Sequence, residues 1–251
     1  MTLFDLHGLG TRVPVTLRGE RADEAADALR RVWSRCLRPR GGEIDAEPQV
    51  AELTGPLAPF LQGFTQQVTG AAIAAQRGRL FMFHAGAVTD PRTGAAIAYV
   101  APGGTGKTTL SRVLGRTHGY VTDETVGFTP DGRIHPYEKP LSVRTHDGAG
   151  VKDEISPDQL GLVRVHPEPR LHRFVLIARD HTLSTPVIEP VSVADAILRL
   201  ATESSSLSSL VRPLRTLAEF LAARPPTLSV TYAEAEQVRD VLVDLLGEAA
   251  P

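Results

Sequence analysis

Apolar and polar positions along the chain follow two periods, and the switches between them mark its elements. Residues 12–17 alternate with period two and predict a short strand. Over 22–36 the apolar positions Ala25, Ala26, Leu29, Val32 and Trp33 recur at helical spacing. Residues 38–47, with Pro39, Gly41 and Gly42, read as loop, and 61–76 as a second helix. Apolar runs at 80–88 and 95–100 flank the turn Asp90-Pro91-Arg92-Thr93-Gly94 and predict a hairpin. A helix follows from Lys107 to about residue 117, where Gly119 stops it. Residues 120–129 predict the next strand, Asp131-Gly132 a tight turn, and 133–135 the returning strand. A rigid loop with Pro136 and Pro140 leads to an extended stretch at 141–144, and the polar segment 147–158 predicts a mobile region. Residues 162–165 and 174–178 read as strands, and 193–202, 207–223 and 233–246 as helices.

Strands interleaved with helices make this an α/β chain with a mixed sheet and flanking helices. The expected division is an N-terminal α/β segment, 1–79, packed on a core, 80–251. At 251 residues the chain is long enough to bury a full core without disulfide staples. Cys36 is the only cysteine, so no internal disulfide forms, and a reducing cytoplasm is the expected compartment. The net charge of −2 and the lack of any block of like charges argue against a nucleic-acid partner or a polybasic membrane anchor. The start of the chain carries Asp5 and no basic, apolar leader, so a signal peptide is not expected. The apolar runs fall far short of the ~20 residues that span a bilayer. Of the 27 basic residues only Lys107, Lys139 and Lys152 are lysine, which draws attention to each, because a compact ammonium does what a planar guanidinium does not.

Lys107 lies in the stretch Ala101-Pro-Gly-Gly-Thr-Gly-Lys-Thr-Thr109, between a predicted buried strand and a predicted helix. A phosphate-binding loop (P-loop) has the pattern G-x-x-x-x-G-K-[ST]; here Ala101 stands at the first glycine, and Gly106, Lys107 and Thr108 match. Gly103, Gly104 and Gly106 permit the sharp dihedrals that turn successive backbone N–H groups inward on a phosphate. Thr105 and Thr109 complete the predicted nucleotide-binding set. Lys107 is expected to reach the terminal phosphates and Thr108 to ligate Mg²⁺, with the helix dipole adding positive potential. Asp123-Glu124 follows 16 residues after Lys107. One helix and one short strand bring the chain back beside the loop, where Asp123 can face the metal and a reacting hydroxyl.

Three segments resemble the HPr kinase/phosphorylase family, and more loosely the phosphoenolpyruvate carboxykinases that share its core. They are Phe83-His84-Ala85-Gly86-Ala87-Val88, the loop Gly103–Thr109, and Tyr120-Val-Thr-Asp-Glu-Thr-Val126. The resemblance implies a P-loop kinase core in which Asp123 accepts the substrate hydroxyl's proton, His84 orients Asp123 or the substrate, and Glu124 supports the metal. Pro136-Tyr-Glu-Lys139-Pro140-Leu-Ser142 resembles a run in small HPr-kinase-like proteins, which makes Lys139 and Arg144 candidate phosphate or substrate contacts. The Gly-Arg-Asn segment that follows the family's acidic motif has no counterpart, so phosphorolysis and HPr itself as substrate are not implied.

The expected activity is therefore transfer of the γ-phosphoryl group of ATP, with Mg²⁺, to a hydroxyl acceptor, foremost a serine of a peptide or protein. A small-molecule kinase of the same fold, a nucleotide-binding regulatory module without transfer, and a hydrolytic NTPase stay open as alternatives. Arg170, Arg173 and Arg179 bracket the strand predicted at 174–178 and offer anionic recognition or plain solvated charge. The sequence leaves the acceptor and any homo-oligomer unspecified.

Overall fold

The computed structural model describes residues 1–144 and 150–247; residues 147–149 of the predicted mobile segment lie outside the described residues. The chain forms two compact units, Met1–Gln76 with Tyr137–Gly161, and Arg77–Pro136 with Leu162–Pro251. The sequence division at residue 80 left 137–161 with the core. Tyr137 explains its place in the first unit, because its ring is buried among that unit's apolar side chains.

In the first unit, β1 (Thr2–Gly8) and β2 (Thr11–Arg18) form an antiparallel pair, and β2 runs parallel to β3 (Ile44–Asp45) and β4 (Gln49–Glu52). Helix α1 (Ala22–Val32) and helix α2 (Leu57–Ala75) cover the sheet. The helix predicted over 22–36 ends at Val32 and continues as a 3₁₀ turn, Ser34–Cys36. Val13, Val15 and Leu17 bury one face of β2 against Leu29, Trp33, Phe64 and Val68, as the period-two pattern requires. Gly8 is obligatory, since a Cβ there would sit 2.2 Å from the Tyr137 ring. Further along, β10 (Leu141–Arg144) and β11 (Lys152–Ile155) pair as an antiparallel ribbon, so part of the segment read as mobile is strand.

The second unit is built on a sheet that begins with β5 (Phe81–Thr89), β6 (Ala95–Val100), β7 (Gly119–Thr122), β8 (Thr125–Phe128) and β9 (Ile134–His135). It is completed by β12 (Arg170–Arg179), β13 (Val187–Pro190) and β14 (Leu228–Tyr232). The order is β13-β14-β12-β6-β5-β8-β9, with β7 also on β5. Strands β6, β12 and β14 are parallel, whereas β5 is antiparallel to β6, β7 and β8. This is an α/β fold with a mixed sheet. Helices α4 (Val193–Thr202) and α5 (Pro213–Ala222) lie on one face over an aromatic cluster of Phe81, Phe83, Phe128, Phe174 and Phe220. Helices α3 (Lys107–Leu114) and α6 (Ala235–Gly247) lie on the other, over Ile97, Tyr99, Val175, Ile177 and Val230. In β5, Phe81, Phe83, Ala85 and Ala87 belong to the aromatic face, so the pleat sends His84, Gly86 and Val88 to the α3 face.

Three expectations change here. The strand predicted over 120–129 is two strands, broken at Asp123-Glu124, where the Thr122 hydroxyl accepts the amides of Glu124 and Thr125. Residues 162–165 form no strand; Arg164 makes a single bridge to Tyr120. The stretch 207–223, read as largely helix, is a 3₁₀ turn at Leu207–Ser209 followed by α5 from Pro213, because a proline has no N–H to give in a helix interior and fits the first turn.

Among the described residues, no helix is long and apolar enough to cross a membrane.

Candidate functional site

Strand β6 runs out at Val100, and a glycine loop turns the chain into α3 at Lys107. Gly104 at φ 86° and Gly106 at φ 105° hold left-handed conformations that side chains rarely adopt, which is why the loop needs glycine at both. Gly103 is exposed, with open space where a Cβ would lie. The Thr105 hydroxyl donates to the Pro102 carbonyl at 2.9 Å and tightens the turn. The loop is anchored from below: a Cβ on Gly86 would meet Tyr99 Cε2 at 2.1 Å, so glycine lets that ring lie flat on β5. The Tyr99 hydroxyl then pairs with the hydroxyl of Ser111 on α3.

Lys107 opens α3, and its side chain is buried. Its ammonium donates to the carbonyls of Ala101 and Pro102, folding the side chain back along the loop. Thr108, half-buried, donates its hydroxyl to Asp123 Oδ2 at 2.8 Å. The other carboxylate oxygen, Oδ1, accepts the Tyr120 hydroxyl at 3.2 Å. Asp123 is 4% exposed, so both contacts are made away from bulk water, where hydrogen bonds to a charge are strongest. Thr109 is exposed on the first turn of α3.

His84 joins the acidic pair through its neighbour. The Glu124 carbonyl accepts the amide of Ala85 and lies 3.0 Å from His84 Nδ1. A carbonyl only accepts, so Nδ1 carries the proton and the neutral ring keeps Nε2 as an acceptor. Burial, and then the Lys107 ammonium, hold the His84 pKa below the ordinary histidine value, so the ring is neutral at pH 7. Its backbone N–H donates to the Glu203 carbonyl at 2.7 Å, which ties β5 to the end of α4.

Sequence reasoning singled out the loop, the acidic pair and His84, and all of them lie in the second unit. Lys139 and Arg144 belong to the first unit. Lys139 is 1% exposed and donates to the Pro140 carbonyl, while Arg144 is exposed at the end of β10. Other residues went unseen. A cleft of about 280 Å³ adjoins the loop at Ala101 and Pro102 and is walled by Leu176, Arg199, Thr202 and Glu203. It opens at the carboxyl ends of the parallel strands β6 and β12, where open α/β sheets bind their ligands. Tyr120 opens a resembling segment, but a strand there accepts any large apolar residue and gives no sign of its role, and Tyr232 lies in a stretch for which no element is predicted. Among the described residues no group of three His, Cys, Asp or Glu side chains forms a metal cage.

No protein-family model matches this chain, and no curated protein matches it. Among solved structures, the Hpr(Ser) kinase/phosphatase from Coxiella burnetii is a distant and partial likeness. The two are 11% identical, the match covers 66% of this chain and 93% of that one, and the TM-score is 0.33.

Proposed function

We propose that this chain is an ATP- and Mg²⁺-dependent kinase that transfers the γ-phosphoryl group to a hydroxyl acceptor, a serine of a peptide or protein. The observation that carries the reading is the Thr108–Asp123 hydrogen bond, which pairs a hydroxyl on the first turn of α3 with a nearly buried carboxylate. A hydroxyl and a carboxylate are hard oxygen donors of the kind that Mg²⁺ takes when it also binds phosphate. The residues present therefore fit the nucleotide and its metal. The glycine loop would act as a P-loop: the amides of Gly103–Thr109 would bind the phosphates, Lys107 would supply positive charge once its ammonium leaves the Ala101 and Pro102 carbonyls, and Thr108 with Asp123 and Glu124 would hold the metal. Bound Mg²⁺ would supply neutralisation of the charge on the transferred group.

Asp123 accepts the proton of the acceptor hydroxyl. His84, neutral and pinned through Nδ1 to the Glu124 carbonyl, steadies the backbone at the acidic pair. Motif order and spacing support kinase chemistry over nucleotide binding alone, because a pure binding module has no need of a carboxylate at Asp123 to take a proton from an acceptor hydroxyl.

The test is ATP binding and phosphoryl transfer measured side by side for wild type and Asp123→Asn, with a panel of serine peptides and small hydroxyl compounds. The expected result is nucleotide binding by both proteins and acceptor-dependent ADP formation by wild type, reduced by about 10²–10⁴-fold in the variant. Tight binding without ADP formation, or ADP release independent of every acceptor, overturns the kinase reading. Transfer at the wild-type rate by Asp123→Asn overturns the role given to Asp123.

A further inference from the structure

The far side of the glycine loop is built from the ends of two strands that the reading above leaves unused. Arg179 ends β12 and Tyr232 ends β14, paired in parallel register. Arg179 donates through Nε and Nη2 to the Ala233 carbonyl, at 3.1 and 2.7 Å, and through Nη2 to Glu234 Oε2 at 2.8 Å. These bonds aim Nη1 at the loop. A methyl group placed on Gly106 would lie 3.5 Å from Arg179 Cδ, 3.6 Å from Nη1 and 3.9 Å from the Tyr232 hydroxyl oxygen.

Two features of this corner are unfavourable as they stand. A guanidinium rests against the residue that caps the N-terminus of α3, next to Lys107, where cations meet the positive end of the helix dipole. Glu234 relieves this only from the solvent side, with 58% of its side chain exposed. Tyr232 is 1% exposed, and its hydroxyl is a buried polar atom with no hydrogen-bond partner among the described residues. Burial raises its pKa, so the phenol stays a donor at neutral pH. An anion seated over Gly106 resolves both, by taking a hydrogen bond from each side chain and balancing the positive charge.

We propose that Arg179 and Tyr232 grip the non-transferred phosphates of the nucleotide, Nη1 and the phenol hydroxyl each donating to an α- or β-phosphate oxygen. The proposal rests on the reading of the loop as a phosphate binder. The sheet order decides which phosphates are involved. Asp123 stands on the β5–β8 side of β6, and Arg179 on the β12 side. The reacting end of the phosphate chain lies toward Asp123, so Arg179 holds the other end. ADP and ATP offer that end alike.

The experiment is titration calorimetry of Mg–ADP and Mg–ATP against wild type, Arg179→Ala, Arg179→Lys and Tyr232→Phe, with far-UV circular dichroism as a check on folding. Arg179→Ala should weaken ADP and ATP equally, by about 10–100-fold, the loss of a charge-assisted hydrogen bond. Arg179→Lys should recover part of that loss, and Tyr232→Phe, which keeps the ring in the core, should weaken both nucleotides by about fivefold. If Arg179→Ala is misfolded, Arg179→Lys and Tyr232→Phe decide. Wild-type affinity in the folded variants, or a loss confined to ATP, overturns this assignment and leaves the kinase reading standing. Failure of wild type to bind either nucleotide overturns both.

Discussion

The Thr108 hydroxyl and Asp123 Oδ2 meet at 2.8 Å although 15 residues separate them. Helix α3 and strand β7 form the closed loop between them, and the chain breaks from β7 at Asp123 itself. If this pair holds the metal, Thr108→Val should lose the Mg²⁺-dependent part of nucleotide affinity, while Thr108→Ser keeps it. Nucleotide titrations with Mg²⁺ and with EDTA measure the difference. Equal Mg²⁺ dependence in Thr108→Val and wild type would remove the hydroxyl from the metal site. The fold should survive, because Asp123 keeps the Tyr120 hydroxyl.

The acid side of the stability profile should carry a histidine signature. His84 has a folded pKa below its ordinary value near 6.5. The unfolded chain therefore binds the proton more readily, so the stability from neutral His84 is fully present above about pH 6.5. It is lost as pH falls toward the lowered folded value. His118 and His135, also depressed by burial, act in the same direction. Melting temperature measured from pH 8 to pH 5 should fall below about pH 6.5, and His84→Gln should flatten part of that slope. An unchanged slope in the variant would refute the assignment to His84.

The anchor beneath the loop is tested by Gly86→Ala. A Cβ at that position meets the Tyr99 ring 2.1 Å away, and the hydroxyl of that ring is tied to Ser111. Overpacking of this kind costs about 1–3 kcal/mol. Urea denaturation should show that loss, and the doubly substituted Gly86→Ala/Tyr99→Leu should recover part of it. Wild-type stability in Gly86→Ala would mean that the ring can move aside at no cost.

In the first unit, Glu138 and Arg35 form an ion pair at 2.9 Å with both side chains 2% exposed. Arg40 bonds the second oxygen of Glu138, and Asp158 bonds Arg35 Nε at 2.8 Å. Glu138→Gln leaves the Arg35 charge without its buried partner, and about 3–5 kcal/mol of stability should go with it. Glu138→Gln/Arg35→Met should be less harmful than the sum of the two single changes, because it removes both buried charges together. Chemical denaturation of the four proteins completes the cycle, and additive losses would show that the pair is not coupled.

Much of the second unit was legible because its chemistry is local. The glycine loop needs left-handed residues before a helix start; Gly106 sits where the motif puts it, and Gly104 supplies the other at a position the motif leaves open. The hairpin of β5 and β6 follows from two apolar runs around a turn, and the acidic pair follows at a distance that one helix and one strand can span. Less legible were elements whose state depends on partners far along the chain. Strand β14 is not among the predicted elements, and in the structure β12 and β13 pair with it on either side. The break at Asp123-Glu124 hides inside a continuous strand pattern, because the Thr122 hydroxyl that bends it carries no periodicity.

By itself, then, the sequence determined an α/β chain, a glycine loop at a helix start, and Lys107, Thr108, Asp123 and His84 as the residues to watch. All but His84 follow from backbone dihedrals, side-chain period and short spacings, which act within some twenty residues; His84 is singled out by the family resemblance of its strand. Tertiary structure alone decided that 137–161 belongs with the N-terminal residues, that Lys139 is enclosed in that unit, and that Arg179 and Tyr232 come to Gly106. Each of those depends on which surfaces bury against each other. A strand end 73 or 126 residues downstream of Gly106 reaches the loop only after the sheet has chosen its order. That choice is made by burial and hydrogen bonding summed over the whole sheet, which no local window of sequence contains.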